Sequence, residues 1–290
     1  DQAEGLRRLL DPNALRVVTI SAGQGSSGKT GAIINLAGAL AELGRDVLIL
    51  DENPAAQGVT AALGMKPRFD LEDVIRRERD LDEVIVRGPA GILILPLARG
   101  ARSLSRLPAR EQQWLVDRCG RLGFPVDTLL VDATPGSTSA LLWFGKATQE
   151  VIVLAGGSPA AITAAYTLIK RLSGEFGRRE FHILVSDIAS ESAARTIFSN
   201  MARTARRYLQ VSLDFMGHIP PDDKLQHAAR LHLPVVAAFP GAAAAASFRR
   251  LAQAVSDWPH SGKDGSGFDD FMRRLIHSSR AHSAAAQTSL

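Results

Sequence analysis

The stretch Ser21-Ala-Gly-Gln-Gly-Ser-Ser-Gly-Lys-Thr30 decides how the rest of the chain is read. An apolar run, Arg16-Val-Val-Thr-Ile20, enters it, and an amphipathic run from Gly31 to Leu43 leaves it. The order is strand, glycine-rich turn, helix. Gly23, Gly28, Lys29 and Thr30 fit the G-x-x-x-x-G-K-[ST] spacing of a nucleotide phosphate loop. Glycines let a backbone bend until successive N–H groups point at phosphate oxygens. Gly23, Gln24, Gly25, Ser26, Ser27, Gly28, Lys29 and Thr30 are therefore the candidate cradle. Lys29 adds a positive charge between the outer phosphates, and Thr30 offers its hydroxyl to a magnesium ion that keeps its other waters. The helix that follows aims its positive end at the same anion.

Beyond the loop, Ile33, Leu36, Ala37, Leu40 and Leu43 recur at helical spacing, and Gly44 ends the helix. Asp46-Val-Leu-Ile-Leu-Asp51 is apolar without alternation, which predicts a parallel strand buried on both faces. Ligands of open parallel sheets sit beyond the carboxyl ends of the strands. Asp51 and Asn53, in the turn Glu52-Asn-Pro-Ala-Ala-Gln57, thus fall near the phosphates. A turn-forming or capping role is the alternative for Asp51. A later strand, Val126-Asp-Thr-Leu-Leu-Val-Asp132, closes on another aspartate and completes the two-part signature of a P-loop nucleotidase. Lys29, Asp51, Asn53 and Asp132 are the candidate catalytic set, and Thr30, Asp51 and Asp132 the candidate magnesium holders. Asp132 would act through a water, beside a switch loop at Ala133-Thr-Pro-Gly136. A strand-terminal cap is the alternative for Asp132.

Further strands are predicted over 150–154, 181–185 and 211–216, alternating with helices over 138–147, 159–173, 191–208, 222–230 and 244–255. Another helix is predicted over 109–122. Alternation of this kind gives a doubly wound, mostly parallel α/β sheet flanked by helices. Ser186 and Pro220, in the loops after the last two strands, are placed to flank the nucleotide base. Residues 58–110 are the least regular: short helices at 59–63 and 70–77, strands at 84–87 and 91–95, and a solvated charged stretch at 76–83. Trp143 and Phe144 read as core; His182 and His218 read as packing or surface residues.

The chain has 290 residues, 46% of them hydrophobic, which is enough for a real core. No run of eighteen apolar residues is present, so no spanning helix is predicted. The acidic start is too short in apolar length for a signal peptide. One cysteine, Cys119, excludes an internal disulfide and a cysteine zinc site, and suits a reducing cytoplasm. A net charge of +4 and a pI near 9.6 permit contact with anionic surfaces without requiring it.

Both ends carry amphipathic segments. Residues 2–9 read as a short helix with Leu6, Leu9 and Leu10 on one side, either a fold appendage or a partner arm. Residues 259–267 read as a flexible linker. In 268–280, Phe268, Phe271, Met272, Leu275 and Ile276 form one apolar stripe. Asp269 and Asp270 sit at its start and Arg273 and Arg274 nearer its end, matching the helix dipole. Such a helix lies in a membrane interface, weakly as one copy and much better as two, or else docks on its own domain or on a partner. Residues 281–290 read as disordered.

The segment Asp1-Gln2-Ala3-Glu4-Gly5-Leu6-Arg7 matches a D-Q-A-x-x-L-R motif, and with the phosphate loop, Asp51, Asp132, the Ile219-Pro220 loop and the tail it resembles the FlhG (FleN) flagellar-number regulators of the MinD/ParA group of P-loop ATPases. The resemblance covers nearly the whole chain. It implies a partner arm over 1–13, an ATPase domain over 14–258 and a membrane-targeting helix over 268–280. In that arm Asp1, Gln2, Ala3, Leu6 and Arg7 would engage an FlhF-type GTPase. It also implies ATP and Mg2+ as cofactors, and an ATP-bound homodimer held on the inner face of the cell membrane by paired tails. Further implied partners are a flagellar transcription activator and the flagellar switch complex.

Three positions depart from the group's pattern. Gln24 stands where a second lysine normally reaches across the dimer, and it brings no charge to the transition state. Loss of a charge acting as an arginine finger does costs several orders of magnitude. Asn53 stands where a second aspartate is usual; it orients a water but accepts no proton. Ser186 stands where an asparagine often meets the base. ATP binding is therefore the firmer expectation and slow ATP turnover the weaker one. The alternatives are a nucleotide-binding module without hydrolysis, in which Gln24→Lys and Asn53→Asp would restore turnover, and a ParA-like ATPase that binds DNA. The D-Q-A motif argues against the DNA reading.

Overall fold

The computed structural model describes residues 15–23, 28–54, 57–104, 106–133, 150–258 and 267–277. The expected arm at 1–13, loop residues Gln24, Gly25, Ser26 and Ser27, the helix at 138–147 with Trp143 and Phe144, most of the linker, and the tail at 281–290 lie outside these residues.

The chain enters through β1 (Arg16–Ala22), α1 (Lys29–Glu42) and β2 (Val47–Asp51). Short pieces follow: α2 (Val59–Ala62), α3 (Leu71–Ile75), α4 (Leu81–Val84), β3 (Val86–Arg87), β4 (Leu93–Pro96), α5 (Gly100–Leu104) and α6 (Ala109–Cys119). The second half is regular: β5 (Thr128–Asp132), β6 (Glu150–Gly156), α7 (Pro159–Phe176), β7 (Glu180–Ser186), α8 (Glu191–Leu209), β8 (Ser212–Ile219), α9 (Asp223–Arg230), α10 (Val235–Ala238) and α11 (Ala243–Asp257). A last helix, α12, spans 268–277.

The strands form one sheet in the order β3-β4-β2-β5-β1-β6-β7-β8. All neighbouring pairs are parallel except β3 with β4. β1, β2 and β5 are buried along their whole length, as their unbroken apolar runs predict. The sheet divides the core. Val18, Ile20, Ile49, Leu130 and Ile152 face α1, α10 and α11; Val17, Leu50, Val131 and Val153 face the side that carries α6, α7 and α8.

The expected strand at 84–87 is a correction. Val84 closes the helix α4, and only Val86 and Arg87 pair, antiparallel, with β4. Asp80 and Glu83 make a reciprocal capping box, with Glu83 accepting from the Asp80 backbone N–H at 2.9 Å. The box and the burial of Leu81 outweigh the strand preference of Val84-Ile-Val. The charged stretch before it is exposed, as expected, up to that buried leucine.

α12 lies on the sheet face that carries α6. Phe268, Phe271, Met272, Leu275 and Ile276 are all buried, in one cluster with Leu115, Val116 and Cys119 of α6. Asp269 sits beside the end of α6, where a Cβ on Gly120 would lie 3.4 Å from its own. The stripe that the sequence left open between lipid and protein is docked on its own domain here. Near the root of the linker, His182 bonds Glu150 at 2.8 Å and stacks on Trp258 at 4.3 Å. Arg16 donates to the Trp258 carbonyl at 2.8 Å. These contacts pin the end of α11 at the base of the sheet, and they bear out the packing reading of His182.

Candidate functional site

β5 lies between β1 and β2, in register, with Ile20 and Asp51 both opposite Asp132. The two aspartates therefore end side by side on adjacent strands, about 5 Å apart at the backbone. α1 starts from the neighbouring β1, which brings Lys29 and Thr30 over the same point.

Gly28, at φ 94°, turns the chain into α1 in the left-handed region that side chains disfavour. α1 begins with no side-chain cap and no acidic residue in its first turn. Its first N–H groups carry the positive end of the helix dipole and are available to an anion. Gly23 serves a different need. A Cβ there would stand 2.3–2.5 Å from Ala164, so the close approach of α7 requires a glycine.

Lys29 and Asp132 form a buried ion pair, and the Lys29 ammonium also donates to the Ala133 carbonyl at 2.5 Å. Thr30 donates its hydroxyl to the other Asp132 oxygen at 3.1 Å. Asp51 is held from three sides. One oxygen accepts from the backbone and the side-chain amide of Asn53, each at 3.1 Å, and the other from the Val59 N–H at 2.7 Å. Burial, and then the neighbouring Asp132 charge, push the Asp51 carboxyl up to about 6, against the lowering effect of these bonds. Asn53 also donates to the Asp132 carbonyl at 3.2 Å.

This donor set fits a magnesium ion beside phosphate. The Thr30 hydroxyl, by donating to Asp132, keeps its lone pairs free for a metal. Two adjacent carboxylates, one of them resisting ionisation, are what a divalent cation relieves. With its oxygens on protein donors, Asp51 suits contact through water better than direct ligation. A cavity of about 420 Å³ opens against Asp51 and Asn53, with Phe69, Arg68, Arg99 and Arg102 in its wall.

On the other flank, Ser186 pairs in register with Ile219, so Ser186 and Pro220 stand together at the ends of β7 and β8. β7 is two strands from β1, roughly 10 Å away. The structure thus groups Gly28, Lys29, Thr30, Asp51, Asn53 and Asp132, sets Ser186 and Pro220 to one side, and places the α12 stripe elsewhere altogether.

Two contributors were not singled out from the sequence. A Cβ on Gly58 would sit 2.2 Å from Asp51, so a glycine is what lets α2 present its N–H to that carboxylate. Arg99 donates to Asp73 at 2.7 Å, and Asp70 accepts from the Arg99 backbone N–H at 2.9 Å, which fixes the turn after β4 beside the site. No spacing rule links these residues; only the fold does.

The family model for the CobQ/CobB/MinD/ParA nucleotide-binding domain matches residues 18–235. The antiactivator FleN of Pseudomonas aeruginosa is 32% identical over 271 residues, 93% of this chain and 97% of the relative. Among solved structures, the MinD cell division protein of Aquifex aeolicus superposes with a TM-score of 0.64 at 21% identity, covering 84% of this chain and 98% of that one. MinD of Pyrococcus horikoshii, complexed with Mg-ADP, gives 0.58 at 22% identity, covering 84% and 96%. The two MinD structures share the fold; the family match and the FleN relative carry the assignment. The chain belongs to the MinD/ParA group of P-loop ATPases, in its FleN/FlhG branch of flagellar regulators.

Proposed function

We propose that this chain binds Mg-ATP at the joined ends of β1, β2 and β5, pairs face to face with a second copy in that state, and regulates flagellar number and placement through partners. The observation that carries the reading is the convergence of Lys29, Thr30, Asp51, Asn53 and Asp132 at the uncapped start of α1. The N–H groups behind Gly23 would cradle the phosphates, and Lys29 would exchange Asp132 for the outer phosphates. Thr30, with Asp51 and Asp132 through water, would hold the magnesium. A bound magnesium supplies neutralisation of the phosphate charge. Asn53 orients water without accepting its proton, so hydrolysis is slow. FleN of P. aeruginosa is an antiactivator; by that likeness a transcription activator is the first partner to test, with an FlhF-type GTPase at the D-Q-A arm and the flagellar switch complex after it.

Membrane contact belongs to a released α12. Among the described residues no helix is long and apolar enough to cross a bilayer. The stripe of Phe268, Phe271, Met272, Leu275 and Ile276 is buried on the protein, so it meets lipid only after undocking. Exchanging one apolar setting for another costs little, whereas exposure to water costs about 1.5–3 kcal/mol per side chain. Nucleotide-driven pairing of two copies would favour the exchange, because two linked helices bind a surface far better than one.

One experiment tests the whole. ATP is titrated calorimetrically with a matched turnover assay, with and without vesicles of acidic lipid. Saturable Mg-dependent binding, lost in Lys29→Ala, supports the reading; turnover that rises with lipid supports the hydrolytic form. Binding with no turnover under any condition supports a hydrolysis-deficient module acting through partners. Absence of nucleotide binding overturns both.

A further inference from the structure

Asn53 departs from the aspartate usual in its group, and by chemistry alone it reads as a lost proton acceptor. The geometry points to a different reading. We propose that Asn53 is a positioning residue of the nucleotide site, tying the end of β2 to the end of β5 so that Asp51 and Asp132 face the metal as one unit. In this chain, where both amide hydrogens are used, Asn53→Asp weakens the site instead of completing it. The inference rests on the nucleotide-binding reading above and concerns how that site is held.

Asn53 is buried, and its side-chain nitrogen has two hydrogens. One goes to Asp51 Oδ1 at 3.1 Å and the other to the Asp132 carbonyl at 3.2 Å. Both targets are acceptors only, so the amide is oriented nitrogen-inward; the reverse would set oxygen against two oxygens. The Asn53 backbone N–H adds a second bond to Asp51 Oδ1 at 3.1 Å. The far Asp51 oxygen takes the Val59 N–H at 2.7 Å, with no room for a side chain at Gly58. A continuous series of bonds thus runs from the first turn of α2 through Asp51 and Asn53 to the last residue of β5, and from its carboxylate to Lys29 and Thr30.

An aspartate at 53 could not make these two donations. It would lose both side-chain donations and set a third carboxylate against a carboxylate and a carbonyl, inside a buried site whose lysine is already paired with Asp132. Asn53→Asp would therefore separate Asp51 from β5, whatever it restored as a base.

The test uses the full chain with wild type, Asn53→Ala and Asn53→Asp. Calorimetry measures the ADP Kd in Mg2+ and in EDTA, and the ratio of the two reports metal positioning apart from general binding. Hydrogen exchange at the Val59 amide is followed in the nucleotide-free protein. A hydrogen bond to a charged group supports about a tenfold effect. The expected result is an EDTA-to-Mg2+ ratio reduced about tenfold in Asn53→Ala and further in Asn53→Asp. Val59 exchange should quicken about tenfold in both, with no rise in ATP turnover in Asn53→Asp. Should Asn53→Asp fail to fold, Asn53→Ala, which removes the donor without adding charge, decides. A ratio within threefold of wild type overturns the proposal, even if affinity falls equally with and without metal, since that is the mark of a merely structural role. Faster turnover in Asn53→Asp also overturns it. Wild type that binds no nucleotide sinks the functional reading instead, a different and separable result.

Discussion

At the joined ends of β1, β2 and β5, Lys29, Asp51, Asn53 and Asp132 hold one another through directed bonds, whereas Phe271, Met272 and Leu275 of α12 are held by the exclusion of water and by close packing. The difference decides what each region can do. A buried charge whose partner is removed is left unpaired, at about 3–5 kcal/mol, and it has nowhere else to go. An apolar stripe can change hosts. Leaving for water would cost the five α12 residues roughly 7–15 kcal/mol as an upper bound; leaving for lipid costs much less. The first region therefore responds to ligand identity, and the second to whether another apolar surface is at hand.

The sharpest way to break the charged half is Lys29→Ala. It strands Asp132 and removes the charge facing the phosphates, so Mg-ATP affinity should fall at least about 100-fold by calorimetry. Affinity within threefold of wild type would contradict the site.

The apolar half is broken by Phe271→Asp, which puts a charge at a fully buried position. α12 should leave its groove at a cost of about 3 kcal/mol. Cys119, buried near Asp269 and with its thiol pushed well above the usual range by burial, provides the readout. Its labelling rate should rise about 100-fold, while flotation with acidic vesicles is lost because the same face serves both hosts. Unchanged labelling would show that α12 does not cover that surface; flotation that persists would place membrane contact elsewhere.

Gly23→Ala probes the seam between loop and scaffold. The added methyl meets Ala164 of α7, so stability should drop by about 1–3 kcal/mol, seen as a lower Tm, with weaker nucleotide binding alongside. An unchanged Tm would mean that α7 yields freely.

The smallest effect is on pH. Because Asp51 is raised to about 6 in the fold, it holds its proton more tightly there than in the unfolded chain. Its contribution to stability is full below about pH 4 and is lost as pH rises through 6. Mg-nucleotide affinity has the opposite slope, falling by about fivefold between pH 6 and pH 5 as the carboxylate is protonated. Asp51→Asn should flatten both profiles; a flat wild-type profile would place the titration elsewhere.

Much of this site was legible because its parts are local. Gly28, Lys29 and Thr30 are consecutive, and each aspartate closes its own apolar strand. α4 was misread because the Asp80–Glu83 box competes with strand propensity over the same few residues, and propensity is the weaker term. Arg99 and Gly58 were invisible because their partners lie far along the chain or across a turn. The surroundings of Asn53 were not legible either: that it lacks a proton acceptor is a fact about the residue, but the two acceptors its amide faces are a fact about the fold.

The order of residues alone determined the sheet's parallel build, the place of the phosphate loop, and the existence of an amphipathic helix near the end. Those follow from short-range periodicity and from the few backbone shapes that glycine, lysine and threonine in that spacing allow. Only the packed molecule decided where that helix lies and which atoms Asn53 bonds. A stripe of phenylalanine, methionine, leucine and isoleucine satisfies lipid and protein equally, and an amide is donor or acceptor according to the atoms the fold sets before it.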